Sequence, residues 1–108
     1  MKVILKKVWN RPRIIEVENT LEALQERVRG PIQIFDFAAD ACVICNEECR
    51  LRGWAAHTRI GGVEFGGPIL IVGTRGETFT DVPRPELTME LLWPEMRKKR
   101  PTPARAGR

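Results

Sequence analysis

Residues 42–54 read CVICNEECRLRGW, and two different folds follow from two ways of taking them. If Cys42, Cys45 and Cys49 held zinc, this would be a metal-nucleated knuckle. If Ala41–Cys45 is a strand, the chain builds an ordinary hydrophobic core around it. C-x2-C is half of many zinc sites, but those place both thiolates on a tight turn. Here the pair falls inside Ala41-Cys42-Val43-Ile44-Cys45, an apolar run with a β-branched centre. On a strand, residues an odd number apart face opposite sides, so Cys42 and Cys45 cannot share an ion. A tetrahedral site also needs a fourth ligand, and the chain has three cysteines and one histidine, His57. The strand reading therefore predicts no metal, no cofactor, and thiols that behave as small buried groups. Asn46-Glu47-Glu48 then turns the chain, Asn being tolerant of left-handed backbone.

Working outward, Val3-Ile4-Leu5 and Ile14-Ile15-Glu16-Val17-Glu18 are strand-like runs on either side of the turn-prone Asn10-Arg11-Pro12, a first hairpin. Asn19 is a good N-cap, with Glu22 three residues on as in a capping box. Leu21, Leu24 and Val28 make one apolar stripe, and Gly30-Pro31 stops the helix, which is expected over about residues 20–29. Ile32–Phe37 and Ala41–Cys45 read as two strands around a turn at Ala38-Ala39-Asp40. Residues 60–67, with four glycines, read as a flexible loop or loose hairpin, and residues 68–73 are apolar on both faces, as in a central strand. Thr88 is placed to cap a shorter final helix over about residues 88–98, with Leu87 and Leu92 as its hydrophobic staple and Pro94 kinking or ending it early. The sum is an α+β domain, a small and mostly antiparallel sheet packed with one main helix and a shorter C-terminal one.

With 108 residues, the chain is one domain able to bury a modest core without a disulfide or metal. Its 43% hydrophobic content is ordinary for a globular protein, so disorder is expected only at the ends. The net charge of +4 is concentrated. Arg97, Lys98, Lys99, Arg100, Arg105 and Arg108 give the last twelve residues +6, leaving −2 for residues 1–96. The domain is thus expected at 1–96, followed by a basic, disordered tail at 97–108. Such a tail can attract phosphate non-specifically and in a salt-dependent way. No apolar run reaches the ~20 residues of a membrane helix, and the apolar core of Met1–Lys7 is too short for a signal peptide. A cytoplasmic protein with no membrane partner is expected.

Catalytic constellations are weak. A nucleophilic Cys45 or Cys49 needs a base and an orienting group, and His57 is the one candidate base. Glu47 and Glu48, as neighbours on an extended backbone, diverge. The segment Gly62-Val63-Glu64-Phe65-Gly66-Gly67-Pro68 has no lysine and carries an acid, unlike a phosphate loop. Trp9, Trp54 and Trp93 are scattered, and there is no tyrosine to extend a stacking surface.

The residues Val43-Ile44-Cys45-Asn46-Glu47-Glu48, followed by Leu51 and Gly53 and later by Ile69-Leu70-Ile71-Val72-Gly73, resemble the family called domain of unknown function 3846. Thr20-Leu21-Glu22-Ala23-Leu24-Gln25 through Gly30 is similar to that family's helix, and the likeness runs over residues 1–92. It implies a phage or mobile-element protein in a bacterial cytoplasm, with no activity assigned. Of the cysteines only Cys45 matches the family pattern. Where the family has Leu-Pro-x-Asn-Arg, this chain has Trp54-Ala55-Ala56-His57-Thr58-Arg59.

Three readings of function follow. The first is a non-enzymatic accessory or inhibitor-type protein that binds a host protein or a small ligand. Its expected site is the turn after the central strand, with Asn46, Glu47, Glu48, His57 and Arg59 as candidate binding residues. The second is a nucleic-acid-associated module using Arg97, Lys98, Lys99 and Arg100. The third is a small enzyme resting on a cysteine or glutamate.

Overall fold

The computed structural model describes residues 1–49, 51–54 and 56–97. Among these described residues, eight strands and two helices follow one another as β1 (Lys2–Lys6), β2 (Arg13–Glu16), α1 (Leu21–Val28), β3 (Ile32–Ala38), β4 (Ala41–Asn46), β5 (Ala56–Ile60), β6 (Val63–Gly66), β7 (Ile69–Arg75), β8 (Thr78–Thr80) and α2 (Pro85–Met96). The main sheet runs β2-β1-β7-β4-β3, with β8 beside the second half of β7. Every pairing in it is antiparallel. Strands β5 and β6 form a separate hairpin. This is an α+β fold.

The sheet is covered on both faces, which is why β4 and β7 read as continuous apolar runs. Val3, Leu5, Cys42, Ile44, Leu70 and Val72 point to one side, where Leu24 and Val28 of α1 close the core. Ile4, Val43, Cys45, Ile69 and Ile71 point to the other, under Ile60 and Phe65 of the hairpin and Met96 of α2. Cys42 and Cys45 thus occupy opposite faces of β4, as strand parity requires. Burying each such Val, Leu or Ile stabilises the fold by about 1.5–3 kcal/mol.

Several local expectations are corrected. The cap of α1 is Thr20, whose hydroxyl accepts from the Ala23 amide at 3.1 Å. Asn19 instead donates its side-chain amide to the Phe79 carbonyl, tethering the helix start to β8. Of the apolar stripe, Leu21 is exposed, while Leu24 and Val28 are buried. Arg29 rather than Gly30 adopts the left-handed turn that ends α1, at φ 70°. Helix α2 begins at Pro85, a residue whose fixed φ and missing N–H suit a first helical position. Thr88 lies inside it and donates to the Pro83 carbonyl, and Leu87 is exposed rather than stapled. Pro94 is accommodated within the helix, which at 12 residues is the longer of the two.

The glycine-rich segment is also more ordered than expected. Gly61 and Gly62 sit at φ 60° and 79°, the two positive values a primed two-residue hairpin loop needs. Both carboxylate oxygens of Glu95 receive the backbone amides of this loop, at 3.0 and 2.9 Å. His57 and Arg59 lie on strand β5 rather than in the expected turn after β4, and β8 adds a further strand beside β7. Among the described residues, no helix is long and apolar enough to cross a membrane.

Candidate functional site

The turn after β4 does not gather the expected residues into one site. Asn46 is fully buried. Its Nδ2 donates to the Val28 and Arg29 carbonyls at 3.0 Å each, and its Oδ1 accepts from the Glu48 amide. The side chain is spent on holding the end of α1 and is closed to a partner. Glu47 is exposed, with its amide bonded to the Pro31 carbonyl. Glu48 pairs with Arg52 at 3.4 Å, an exposed i,i+4 contact of small energetic weight. Arg59 lies on β5 and pairs across the hairpin with Glu64 at 3.0 Å. His57, also on β5, lines a recess. Lys98, Lys99 and Arg100 lie outside the described residues, and Arg97 is the exposed C-cap of α2.

The thiols occupy different environments. Burial, with Asp36 second, pushes the Cys42 thiol up to about 11. Burial, with Cys49 second, does the same for Cys45, also to about 11. Both are held protonated, the opposite of an activated nucleophile. Cys49 is half-buried. Among the described residues, no group of three or more His, Cys, Asp or Glu is placed to hold a metal ion.

What the fold does assemble is a groove beside the end of α1. Its larger part, about 630 Å³, is walled by Lys7, Val8 and Asn10 after β1 and by Glu26, Arg27 and Arg29 at the end of α1. Its smaller part, about 390 Å³, is walled by Gly53, Trp54, His57 and Gly67. The two parts share Val8, Arg29 and Pro68, so they lie side by side with Arg29 between them. Both volumes fall in the ~300–1,000 Å³ range usual for small-molecule sites.

The smaller part has aromatic walls. Trp54 is seated against Gly67, where an added Cβ would overlap the indole. The Arg52 guanidinium lies 5.2 Å from the Trp54 ring centroid, a cation–π contact. Trp9 covers His57 with ring centroids 4.2 Å apart. The larger part is cationic. Lys7, Arg27 and Arg29 are exposed, and among the described residues none of them has a carboxylate partner. Lys6, next to Lys7 in the chain, is buried, donates to the Lys7 carbonyl at 2.9 Å, and has its pKa lowered by that burial.

Sequence reasoning reached His57 but missed Lys7, Arg27, Arg29 and Trp54 as members of one site. No motif links them, because β1, α1, the turn after β4 and the residues before β7 meet only through the sheet order. A readable hint was the pair of basic residues, Arg27 and Arg29, bracketing the last turn of α1.

The chain matches the family model described as Domain of unknown function (DUF3846) over residues 1–92, from the first residue into α2. No curated protein and no solved structure matches it. The match spans the whole sheet and the groove, and the chain belongs to the DUF3846 family.

Proposed function

We propose that the protein is a non-enzymatic accessory or inhibitor-type protein of a phage or mobile element, which binds a small host ligand in the groove beside α1. The observation that carries this reading is the groove itself. Three cations that have no carboxylate partner among the described residues stand next to an aromatic recess, both parts sized for a small molecule. A binding role rather than catalysis is favoured by where the reactive groups sit. The Cys42 and Cys45 thiols lie in the core on opposite sheet faces, and Glu48 is engaged by Arg52. The phage or mobile-element setting, and with it the bacterial cytoplasm, comes from the family resemblance.

The test is a thermal-shift screen of the full chain against a library of bacterial metabolites and short peptides, run in parallel on Arg29→Glu. A ligand class that raises the melting temperature of the wild type and not of the variant is the expected result. A flat response across the library, or hits that Arg29→Glu binds equally well, would overturn the proposal.

A further inference from the structure

We propose that the groove is a nucleotide site, taking phosphate on Lys7, Arg27 and Arg29 and an aromatic base against Trp54 and His57. This rests on the binding role proposed above and names the ligand class. The two parts of the groove differ in chemistry in the way the two ends of a nucleotide differ. Exposed guanidinium and ammonium groups recognise phosphate oxygens by charge-assisted hydrogen bonds. Trp54 and His57 line the other part, and a planar base packs beside their rings, next to Arg52 on the indole and Trp9 on the imidazole. Arg29 belongs to both parts, as a residue between phosphate and base would. Glu26 also lines the cationic part. It leaves a net positive charge there and offers an acceptor for a sugar hydroxyl.

Two features show that this region is held in place. Among the described residues, the non-glycine positions at positive φ are Trp9, Arg29 and Arg84. Arg29 lines both parts of the groove, and Trp9 falls between the lining residues Val8 and Asn10 and packs on His57. Such backbone is costly and gathers at functional sites. Arg29 is fixed on both sides of its Cα, its amide bonded to the Gln25 carbonyl at 2.7 Å and its carbonyl taking the Asn46 amide. Trp9, largely exposed, rests its ring on His57. The end of a helix carries partial negative charge, which disfavours an anion. Here the carbonyls of Gln25, Val28 and Arg29 are already occupied by the Arg29 and Gly30 amides and by Asn46, which blunts that effect.

The experiment is calorimetric titration of the full chain at low salt with adenosine 5′-monophosphate, adenosine and inorganic phosphate. Saturable binding of the nucleotide is expected, with adenosine and phosphate each weaker by about tenfold or more, because each keeps one half of the contacts. Arg29→Ala should weaken the nucleotide about tenfold, as loss of a charged hydrogen bond does. Arg75→Ala, which removes an exposed cation outside the groove's lining, should leave it unchanged. Three results would overturn the nucleotide site: no nucleotide binding, nucleotide no tighter than phosphate alone, or indifference to Arg29→Ala. If, in addition, the metabolite and peptide screen returns a different ligand that Arg29→Glu loses, the binding role stands without the nucleotide. If that screen is also flat, both fail.

Discussion

The side-chain amide of Asn46 closes the last turn of α1, donating from β4 to the Val28 carbonyl at 3.0 Å. It reaches the Arg29 carbonyl at the same distance, and the Asn46 side chain is fully buried. A residue that looks from sequence like the first member of a binding loop is the joint between helix and sheet. Asn46→Ala should therefore destabilise the fold by about 2 kcal/mol, since two carbonyls lose their donor in a buried setting. Urea denaturation measures it directly. A variant as stable as the wild type would return Asn46 to the list of binding candidates.

The cysteines should be told apart by alkylation. Cys49, half-buried, is expected to react first in the native protein, while Cys42 and Cys45 react only on unfolding. The same burial makes stability depend on pH. The two core thiols ionise near 9.0 in the unfolded chain and near 11 in the folded one. The unfolded state therefore loses protons first, and their contribution to stability is lost as pH rises through that window. Lys6 acts with the opposite sign, its folded pKa lying below the ordinary 10.5, so stability gains as pH rises toward that value. Denaturation of Cys42→Ala, Cys45→Ala and Lys6→Met across the alkaline range separates the terms.

Glu95 sits in the last turn of α2, where an acid opposes the helix dipole. Its two bonds to Gly61 and Gly62 explain its presence, because they dock the β5–β6 hairpin onto the helix. Glu95→Ala should cost about 1 kcal/mol, the contact being open to solvent. It should also speed amide exchange at Gly61 and Gly62 selectively. Uniform exchange across the hairpin would argue against the docking role.

Gly67 gives Trp54 its seat. An alanine there meets the indole directly and must also adopt φ 76°, so Gly67→Ala should displace the ring from the groove. A red-shifted tryptophan emission and weaker ligand capture are expected, with a melting-temperature loss of a few degrees from about 1 kcal/mol of strain. Unchanged emission would mean that the ring moves without leaving the recess.

The basic end should be separable from the domain. Deleting residues 97–108 removes +6 and leaves a chain of −2. Thermal stability should stay nearly unchanged, and non-specific polyanion binding should fall away. Sequence-selective DNA or RNA binding by the truncated chain would favour the nucleic-acid reading.

Much of the scaffold was decided locally. The placement of Cys42 and Cys45 on opposite faces follows from strand parity, and the central position of β7 follows from a run apolar on both sides. The first hairpin, α1 and the β3–β4 pair were likewise legible, because side-chain periodicity and turn residues act within a few positions. Where two local rules competed, the sequence did not choose between them. Asn19 and Thr20 are both good caps, and the Phe79 carbonyl, brought in by a strand far along the chain, claims Asn19. Pro85 and Thr88 both announce a helix start, and the proline wins.

The site belonged to the tertiary structure. Trp9 meets His57, Trp54 meets Gly67, and Lys7 comes beside Arg27 and Arg29 only because β1, β7 and β4 are neighbours in the sheet and α1 lies across one face of them. Exposed charges and half-buried rings leave no periodic trace in the sequence, since nothing about their own segments requires the partner they find. The buried residues wrote the fold into the sequence through hydrophobic pattern, whereas the groove is what remains where those packed elements end.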